Sequence, residues 1–518
     1  MPTNEKKVGS PNLIFQTILF LIFLLYLALR FSSPIQLITA DLGRHLKNGE
    51  ELLHHSSQVL TQNYYSYTEP ENRLVNHHWL TGIFFYGIWK WGGFQALAVF
   101  YTALFLLSFC VYFDLARRRG GFSFAALAAV LAVPLMMSRP EIRPEGMSVL
   151  FLGIVLTVLC RVFDGSLTAR WLWVIPALEV VWVNTHILFF LGPLLVLVFY
   201  LRERISNTCL PCRRKLAAVG ISSGLACLVN PFGLAGALVP FSIFDRYSYE
   251  LVENQSLIFL LARFPQNFEY LYWIVIAALA LVSAGFLARP KRLGANFVDV
   301  VLTLIFSLLA LKMMRAVVLL GFMFVPLMAS LWSRAAQSLR PRARAFVRQG
   351  AAGAAAFIFI VSAWSGHSRA PRLFAGLRPG VQASAEFFKH NALKGPIFNN
   401  YDIGGYLIFY LFPRERVFVD NRPEAYTVSF FKDVYIPMQE KEEIWKREQA
   451  RFGFNVIYFY RLDLTPWAQP FLIRRLSDPE WAPVFVDDFT LILLKRNSLN
   501  QDLIRRFELP KHIFHAVH

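Results

Sequence analysis

Eleven apolar runs shape this chain of 518 residues, at 12–30, 94–113, 121–137, 146–163, 171–185, 187–201, 215–230, 268–288, 297–311, 316–333 and 350–365. The longer ones reach the roughly 20 residues that a helix needs to cross a bilayer. Inside lipid the backbone must satisfy its own polar groups, and runs of this length do so as helices. Composition agrees: the chain is 56% hydrophobic and only 17% charged, where soluble domains carry about 25% charged residues. The sequence therefore predicts a polytopic α-helical membrane protein with about 11 transmembrane helices. The runs around 171–201 are short, which predicts tilted, broken or partly re-entrant segments.

Basic residues set the orientation. Lys6 and Lys7, Arg117 to Arg119, Arg202 and Arg204, Arg213 to Lys215, Arg289 to Arg292, and the run Arg334 to Arg348 alternate with basic-poor loops. The short loops sum to roughly twenty Lys/Arg on one side and about nine on the other, and the rich side is cytoplasmic. No small-residue cleavage site follows the apolar stretch Leu13 to Leu29, so it reads as an uncleaved first helix with the N-terminus cytoplasmic. An odd number of spans then puts the C-terminus outside. The net charge of +18 lies in these clusters and not on one stripe, which excludes a nucleic-acid partner.

Two polar regions face outward on this reading. One is the first outer loop, 31–80, within a transmembrane domain of 1–365. The other, 366–518, is long enough to be an extracytoplasmic domain. It alternates strand-like PIFNN, RVFVD and FNVIYFY with a hairpin in APVFVDDFTLILLKR and a polar helix in EEIWKREQARF. That pattern predicts a small α/β domain. The five cysteines lie in or beside apolar runs, and Cys209-Leu-Pro-Cys212 reads as two unpaired thiols and not as a redox or zinc motif.

The first outer loop is too long and polar for a connector. Asp41 to His55 has helical character, with Leu42, Leu46, Leu52 and Leu53 available for an apolar face on the membrane surface. Asp41 would stand at the N-terminal end, with Arg44 and His45 on its face. From spacing alone, a plain helix cap is the favoured reading of Asp41. The loop ends in Asn76, His77, His78 and Trp79. Histidines this close suggest a metal, yet no HxxxH or HExxH pair exists; a divalent metal stays the lesser alternative, and no metal ligand or cofactor is assigned.

Other outward turns are also polar. Ser138 to Glu145 carries Arg139, Glu141, Arg143 and Glu145; WVNTH carries Asn184 and His186; Lys312 and Arg315 interrupt an apolar stretch. Ionisable groups at membrane depth are costly and are functional candidates by default. Arg139 and Arg143 have glutamates beside them for mutual pairing. Arg315 has none nearby in sequence, which favours it as the holder of a bound anion. In the tail, Tyr401-Asp402-Ile403-Gly404-Gly405-Tyr406 precedes Phe418-Val419-Asp420-Asn421-Arg422. Asp420 and Arg422 follow a predicted strand and are either site residues or a structural pair.

ADLGRHLKNGE…YYSYTEP…VNHHWL, with WVNTH, LVNPFG and GPIFNNYDIGGYL…RVFVDNRPEAY, resembles a bacterial family of the GT-C class of integral-membrane glycosyltransferases. The resemblance implies one helix, a large outer loop with an acid near its start, further spans and an outer domain, in the bacterial cytoplasmic (inner) membrane. It also implies Asp41 as catalytic base and a sugar on a polyprenyl phosphate as donor. The Asp-x-x-Arg spacing of lipid A aminoarabinose transferases recurs as Asp41-Leu42-Gly43-Arg44. Those enzymes carry a second acid where Leu42 stands, and a Lys-Pro-Pro-type motif where Asn76-His77-His78-Trp79 stands.

The expectation is an inverting membrane glycosyltransferase acting on an envelope acceptor. Asp41 is its base. Arg44, Arg143 and Arg315, with His77 and His78, hold the donor phosphate. His45, Asn76, Trp79, Glu141, Asn184, His186, Asp420 and Arg422 bind acceptor or support the site. Membrane lipids and the lipid-linked sugar are the expected partners. The alternatives are a transporter or lipid flippase, disfavoured because the polar clusters sit at span ends without internal repeats, and a non-catalytic envelope assembly protein.

Overall fold

The computed structural model describes residues 11–206, 210–242, 251–288, 290–365 and 376–514. Lys6, Lys7, Cys209, Arg289 and the expected domain start at 366 lie outside them. Helices cover all eleven predicted runs: α1 (Pro11–Phe31), α3 (Trp79–Gly120), α4 (Phe122–Met136), α5 (Glu145–Phe163), α6 (Val174–Thr185), α7 (Leu191–Ser206), α8 (Leu210–Ala226), α11 (Phe268–Leu287), α12 (Pro290–Lys312), α13 (Val317–Gln337) and α14 (Pro341–Ser365). Between them lie α2 (Leu42–His54), α9 (Leu234–Ser242) and α10 (Leu257–Arg263); the last two were not predicted. Among the described residues six helices are long and apolar enough to cross a membrane. The chain is a multi-pass membrane protein.

Burial sorts these helices. α13 is apolar on every side and almost wholly buried, as expected of a helix surrounded by others. Gly321 lets it approach α4 closely, and Phe322 meets Phe105 and Tyr112 of α3. α1 and α14 instead turn Ile14, Phe15, Leu21 and Leu25, and Phe357, Ile360 and Trp364, outward as a lipid-facing surface. The short segments behave as predicted: 3-10 turns at Ala169–Trp173 and Ile187–Phe190 precede α6 and α7. Cys212 is disulfide-bonded, against the expectation of unpaired thiols.

In segment 31–80 the apolar face of α2 packs against protein and not against lipid. α2 is wedged between the start of α3 and a helix of the tail, α16 (Gly404–Leu411). Leu42, Leu46 and also Arg44, His45, Lys47, Asn48 and Glu51 are buried, whereas Leu53 is half exposed. The reason is close backbone contact: a Cβ on Gly49 would stand 2.2 Å from the Gly82 carbonyl oxygen of α3. Amphipathic spacing cannot distinguish burial against protein from burial against lipid.

The tail forms a four-stranded sheet of β1 (Ile397–Asn399), β2 (Val456–Tyr460), β3 (Trp481–Val486) and β4 (Thr490–Lys495), in the order β1-β2-β4-β3. β1 pairs parallel with β2, Phe398 opposite Ile457; β3 and β4 form the predicted hairpin. Alternation splits the strands between two cores. Val456, Tyr458, Ile492 and Leu494 face one side with Phe388 of α15 (Ala383–His390). Ile457, Phe459, Leu491 and Leu493 face the other, with Trp445 of the predicted polar helix, α18 (Glu442–Phe452), and Phe471 of α19 (Ala468–Ser477).

RVFVD is not a sheet strand. Val417 makes an isolated bridge to Ser66 of the first outer loop. The Val417 amide donates to the Tyr65 carbonyl at 3.1 Å, and the Ser66 and Thr68 hydroxyls both donate to the Phe418 carbonyl. A segment whose backbone partners lie in another loop carries a strand-like composition without a sheet. This stitching ties the tail to the segment that follows α2.

Candidate functional site

Asp41 occupies the N-cap position of α2, but its side chain makes no capping hydrogen bond. The plain cap is therefore not its role. Its carboxylate is a quarter exposed and stands between two guanidiniums, Arg44 at 3.5 Å and Arg143 at 3.6 Å. Arg44 lies one turn along the same helix. Arg143 comes from the turn between α4 and α5. A cavity of about 170 Å³ opens beside them, lined by Phe31, Ile35, Ala40, Leu42, Tyr101 and Glu141 among others.

The arginines expected to hold an anion already meet one. Glu253, in a short turn before α10, accepts from Arg139 at 2.5 Å, Arg143 at 3.1 Å and Arg315 at 2.7 Å. Arg315, which has no partner nearby in sequence, thus has one 62 residues away. Burial alone would push the Glu253 carboxyl up; the three guanidiniums outweigh it and hold it well below the usual carboxylate range. Arg139 also pairs with Glu145 at 3.0 Å, as its neighbourhood in sequence suggested, while Arg143 and Glu141 are 3.9 Å apart.

Beside the arginines lies a stack of imidazoles. His77 and His78 have ring centroids 3.9 Å apart; His78 also meets His45 at 5.4 Å and His186 at 5.3 Å. Burial, then the neighbouring Arg44 and Arg315, pull His77 down to about 4 against a backbone contact to Val75 that opposes it. Burial and mutual repulsion lower the other three as well. All four are neutral at pH 7. Trp182 can only donate, and does so to Ser148 Oγ at 2.7 Å; Ser148 Oγ lies 2.8 Å from His186 Nδ1, a hydrogen bond that either of the two can donate. Among the described residues no group of three or more His, Cys, Asp or Glu is arranged to hold a metal ion.

The remaining predicted residues frame this centre. Trp79 donates to Asn184 Oδ1 at 2.9 Å, and the Asn184 amide donates to the Val180 and Val229 carbonyls, tying α3 to α6. Asn76 donates to the Val59 carbonyl and shapes the loop end. Asp420 and Arg422 face each other in two short contacts, 2.7 and 2.6 Å, both buried, with Arg422 also donating to Asn63. Their charges are used on one another.

Sequence reading missed three residues here. Glu253 sits in LVENQS, which looks like an ordinary polar turn. Asn421, between the two members of the Asp420–Arg422 pair, accepts from Arg44 Nε at 3.3 Å and brings the tail into the site. Asp402 lies just before α16 and is pushed up to about 7 by burial, then by Asp463 and Asp41. A Cβ on Gly405 would stand 3.2 Å from the Ala40 carbonyl and crowd the Asn421 amide, so the glycine pair brings the tail down onto the residue before Asp41. The quoted YDIGGY motif was the available signal.

No family model matches the chain, and no curated protein matches it by sequence. Solved structures match by fold. The archaeal oligosaccharyltransferase AglB from Archaeoglobus fulgidus, in complex with an inhibitory peptide and a dolichol-phosphate, aligns with a TM-score of 0.61 and 11% identity, over 90% of this chain and 73% of its own. ArnT from Cupriavidus metallidurans aligns in its apo state with a TM-score of 0.54 and 16% identity, over 93% of this chain and 98% of its own. The same protein bound to undecaprenyl phosphate gives 0.51 and 15%. The fold is the one these solved structures share, in line with the resemblance of the first-loop motifs to the GT-C class.

Proposed function

We propose that this chain is an inverting glycosyltransferase of the bacterial cytoplasmic membrane, which moves a sugar from a polyprenyl phosphate to a hydroxyl of an envelope acceptor. The transmembrane domain, 1–365, crosses about eleven times from a cytoplasmic N-terminus, and the 366–518 domain lies outside. No nucleotide-sugar pool exists there, so a lipid-linked donor fits. The fold shared with proteins crystallised with dolichol-phosphate and undecaprenyl phosphate supports this reading.

The observation that carries it is the setting of Asp41: an uncapped, partly exposed carboxylate between Arg44 and Arg143 at the foot of the outer domain. In the reaction Asp41 takes the proton of the acceptor hydroxyl as its oxygen attacks the anomeric carbon. The bond from that carbon to the phosphate oxygen breaks, and the electron pair leaves with the polyprenyl phosphate. A placed base contributes roughly 10²–10⁴-fold. The phosphate gains charge as the bond breaks, so fixed cations bind the transition state better than the donor, often the larger effect. Arg44, Arg143 and Arg315 supply them, and the planar guanidinium fork suits phosphate oxygens. Neutral His77 and His78 add hydrogen bonds without charge. His45, Glu141, His186, Asn76, Trp79 and Asn184 support the site, and no cofactor enters the scheme.

Asp41→Asn keeps the shape and removes the base. At matched membrane levels, mass spectrometry should show one lipid-linked sugar accumulating and one surface modification lost. A profile equal to wild type, in a host whose envelope changes on gene deletion, would exclude this mechanism.

A further inference from the structure

Three guanidiniums from two separate turns converge on the single carboxylate of Glu253, itself carried on a third. Arg139 and Arg143 precede α5, and Arg315 follows α12. One carboxylate oxygen takes both Arg139 and Arg143; the other takes Arg315. Arg139 is also paired with Glu145 and Arg143 with Asp41, so the fit is one of geometry: the cradle offers three directions of approach where a carboxylate has two oxygens. A phosphate monoester, with three free oxygens, meets them better. Glu253 reaches the cradle from a turn of three residues, Val252–Asn254, that is anchored to the opposite wall by the Met314 amide donating to the Gln255 carbonyl.

We propose that Arg139, Arg143 and Arg315 form one anion site for a phosphate ester, and that Glu253 stands in it as a placeholder which the phosphate displaces. This rests on the reading of Arg143 and Arg315 as donor-binding groups, adds Arg139 to them, and gives the site a closed resting state. With Glu253 as the counter-charge they share, only a ligand that matches the three guanidiniums better than a carboxylate opens the site. Arg143 touches both Glu253 and Asp41, so the exchange takes place beside the base. The charge logic is also that of the reaction. The donor arrives as a singly charged diester and departs as a monoester, so the cradle holds the product end of the step more strongly.

The test uses the full chain in detergent or lipid nanodiscs, with a polyprenyl phosphate, the matching phosphate-free polyprenol and inorganic phosphate as probes. Glu253→Gln keeps the shape and removes the competing charge. It should bind polyprenyl phosphate roughly tenfold more tightly than wild type, because the closed state no longer taxes binding; Glu71→Gln, at an exposed carboxylate with no part in the cradle, should not. Arg139→Gln should weaken binding. Equal or weaker binding by Glu253→Gln overturns the placeholder. Inorganic phosphate that binds as tightly as the lipid assigns the cradle to a free anion and overturns the ester. Should Glu253→Gln fail to fold, hydrogen exchange in wild type decides: the amides from Val252 to Gln255 should exchange faster with polyprenyl phosphate and stay unchanged with polyprenol. Asp41→Asn, run in parallel, separates the two ideas. Transfer surviving in Asp41→Asn sinks the catalytic scheme and leaves the cradle standing, whereas unchanged binding by Glu253→Gln does the reverse.

Discussion

Arg44 donates from Nε to Asn421 Oδ1 at 3.3 Å, across 377 residues of chain. One partner belongs to the first outer loop and the other to the tail. The contact orients the guanidinium that stands 3.5 Å from Asp41. Asn421→Leu keeps the volume and removes the acceptor. A hydrogen bond to a charged group is worth about 1.5–3 kcal/mol, and this one is long, so the KM for donor should rise about tenfold with a smaller change in kcat. Combining it with Arg44→Lys should add little; fully additive losses would mean that Asn421 acts elsewhere.

The seam between α2 and α3 has no room for side chains at its closest point. Gly49→Ala would set a Cβ 2.2 Å from the Gly82 oxygen. Backbone cannot yield as a side-chain tip can, so the variant should lose roughly 1–3 kcal/mol. The melting temperature of the solubilised protein reads it directly. Gly87, on α3, has nothing within 4 Å of its would-be Cβ, and Gly87→Ala should be neutral or slightly stabilising.

Apolar length made the membrane helices legible, because a bilayer imposes one dimension on every span. Period-two alternation likewise revealed β2, β3 and β4. What sequence could not show is which distant charges meet. Glu253 lies 110 residues from Arg143 and 62 from Arg315, and nothing local distinguishes it from a solvated turn. RVFVD failed for a related reason: its composition suits a strand, but Tyr65 and Asn399 take its backbone amides before a neighbouring strand can. α2 was placed correctly along the chain, but its apolar face meets protein where lipid was expected, since both reward the same apolar spacing. The resemblance pointed to Asp41 as base, whereas spacing alone favoured a cap that the geometry does not form.

Asp420 and Arg422 were read as site residues or a structural pair; both are buried and engaged with each other, Asn63 and Tyr426, on either side of Asn421. Arg422→Gln strands a buried carboxylate and should cost about 3–5 kcal/mol, with the double variant Asp420→Asn, Arg422→Gln losing less than the sum. Thermal unfolding of the solubilised chain measures this. A stable Arg422→Gln protein with lost transfer would return the pair to the catalytic site.

Acid should weaken what the imidazole stack contributes to stability, and the sign follows from its burial. His77 has a folded-state pKa of about 4, whereas an unfolded histidine titrates near ~6.5. Between these values the unfolded chain binds more protons, so stability rises with pH over that window and is lost as pH falls through it. His45, His78 and His186 are shifted in the same direction. Asp402 opposes them. Its folded pKa of about 7 lies above the ordinary value of 3.8, so the stability it contributes is complete at low pH and disappears as pH rises through 7. Burial raises Glu51, Glu415 and Glu424 as well, so the imidazole contribution is read against a variant that lacks it. The melting temperature of wild type relative to His77→Gln should climb from pH 5 to pH 6.5. Asp402→Asn should raise the melting temperature itself at pH 8 and leave it nearly unchanged at pH 4.5, because asparagine imitates the protonated acid. A difference that falls from pH 5 to 6.5 would mean that His77 is charged in the folded protein, and with it that His77 meets the donor phosphate as a cation.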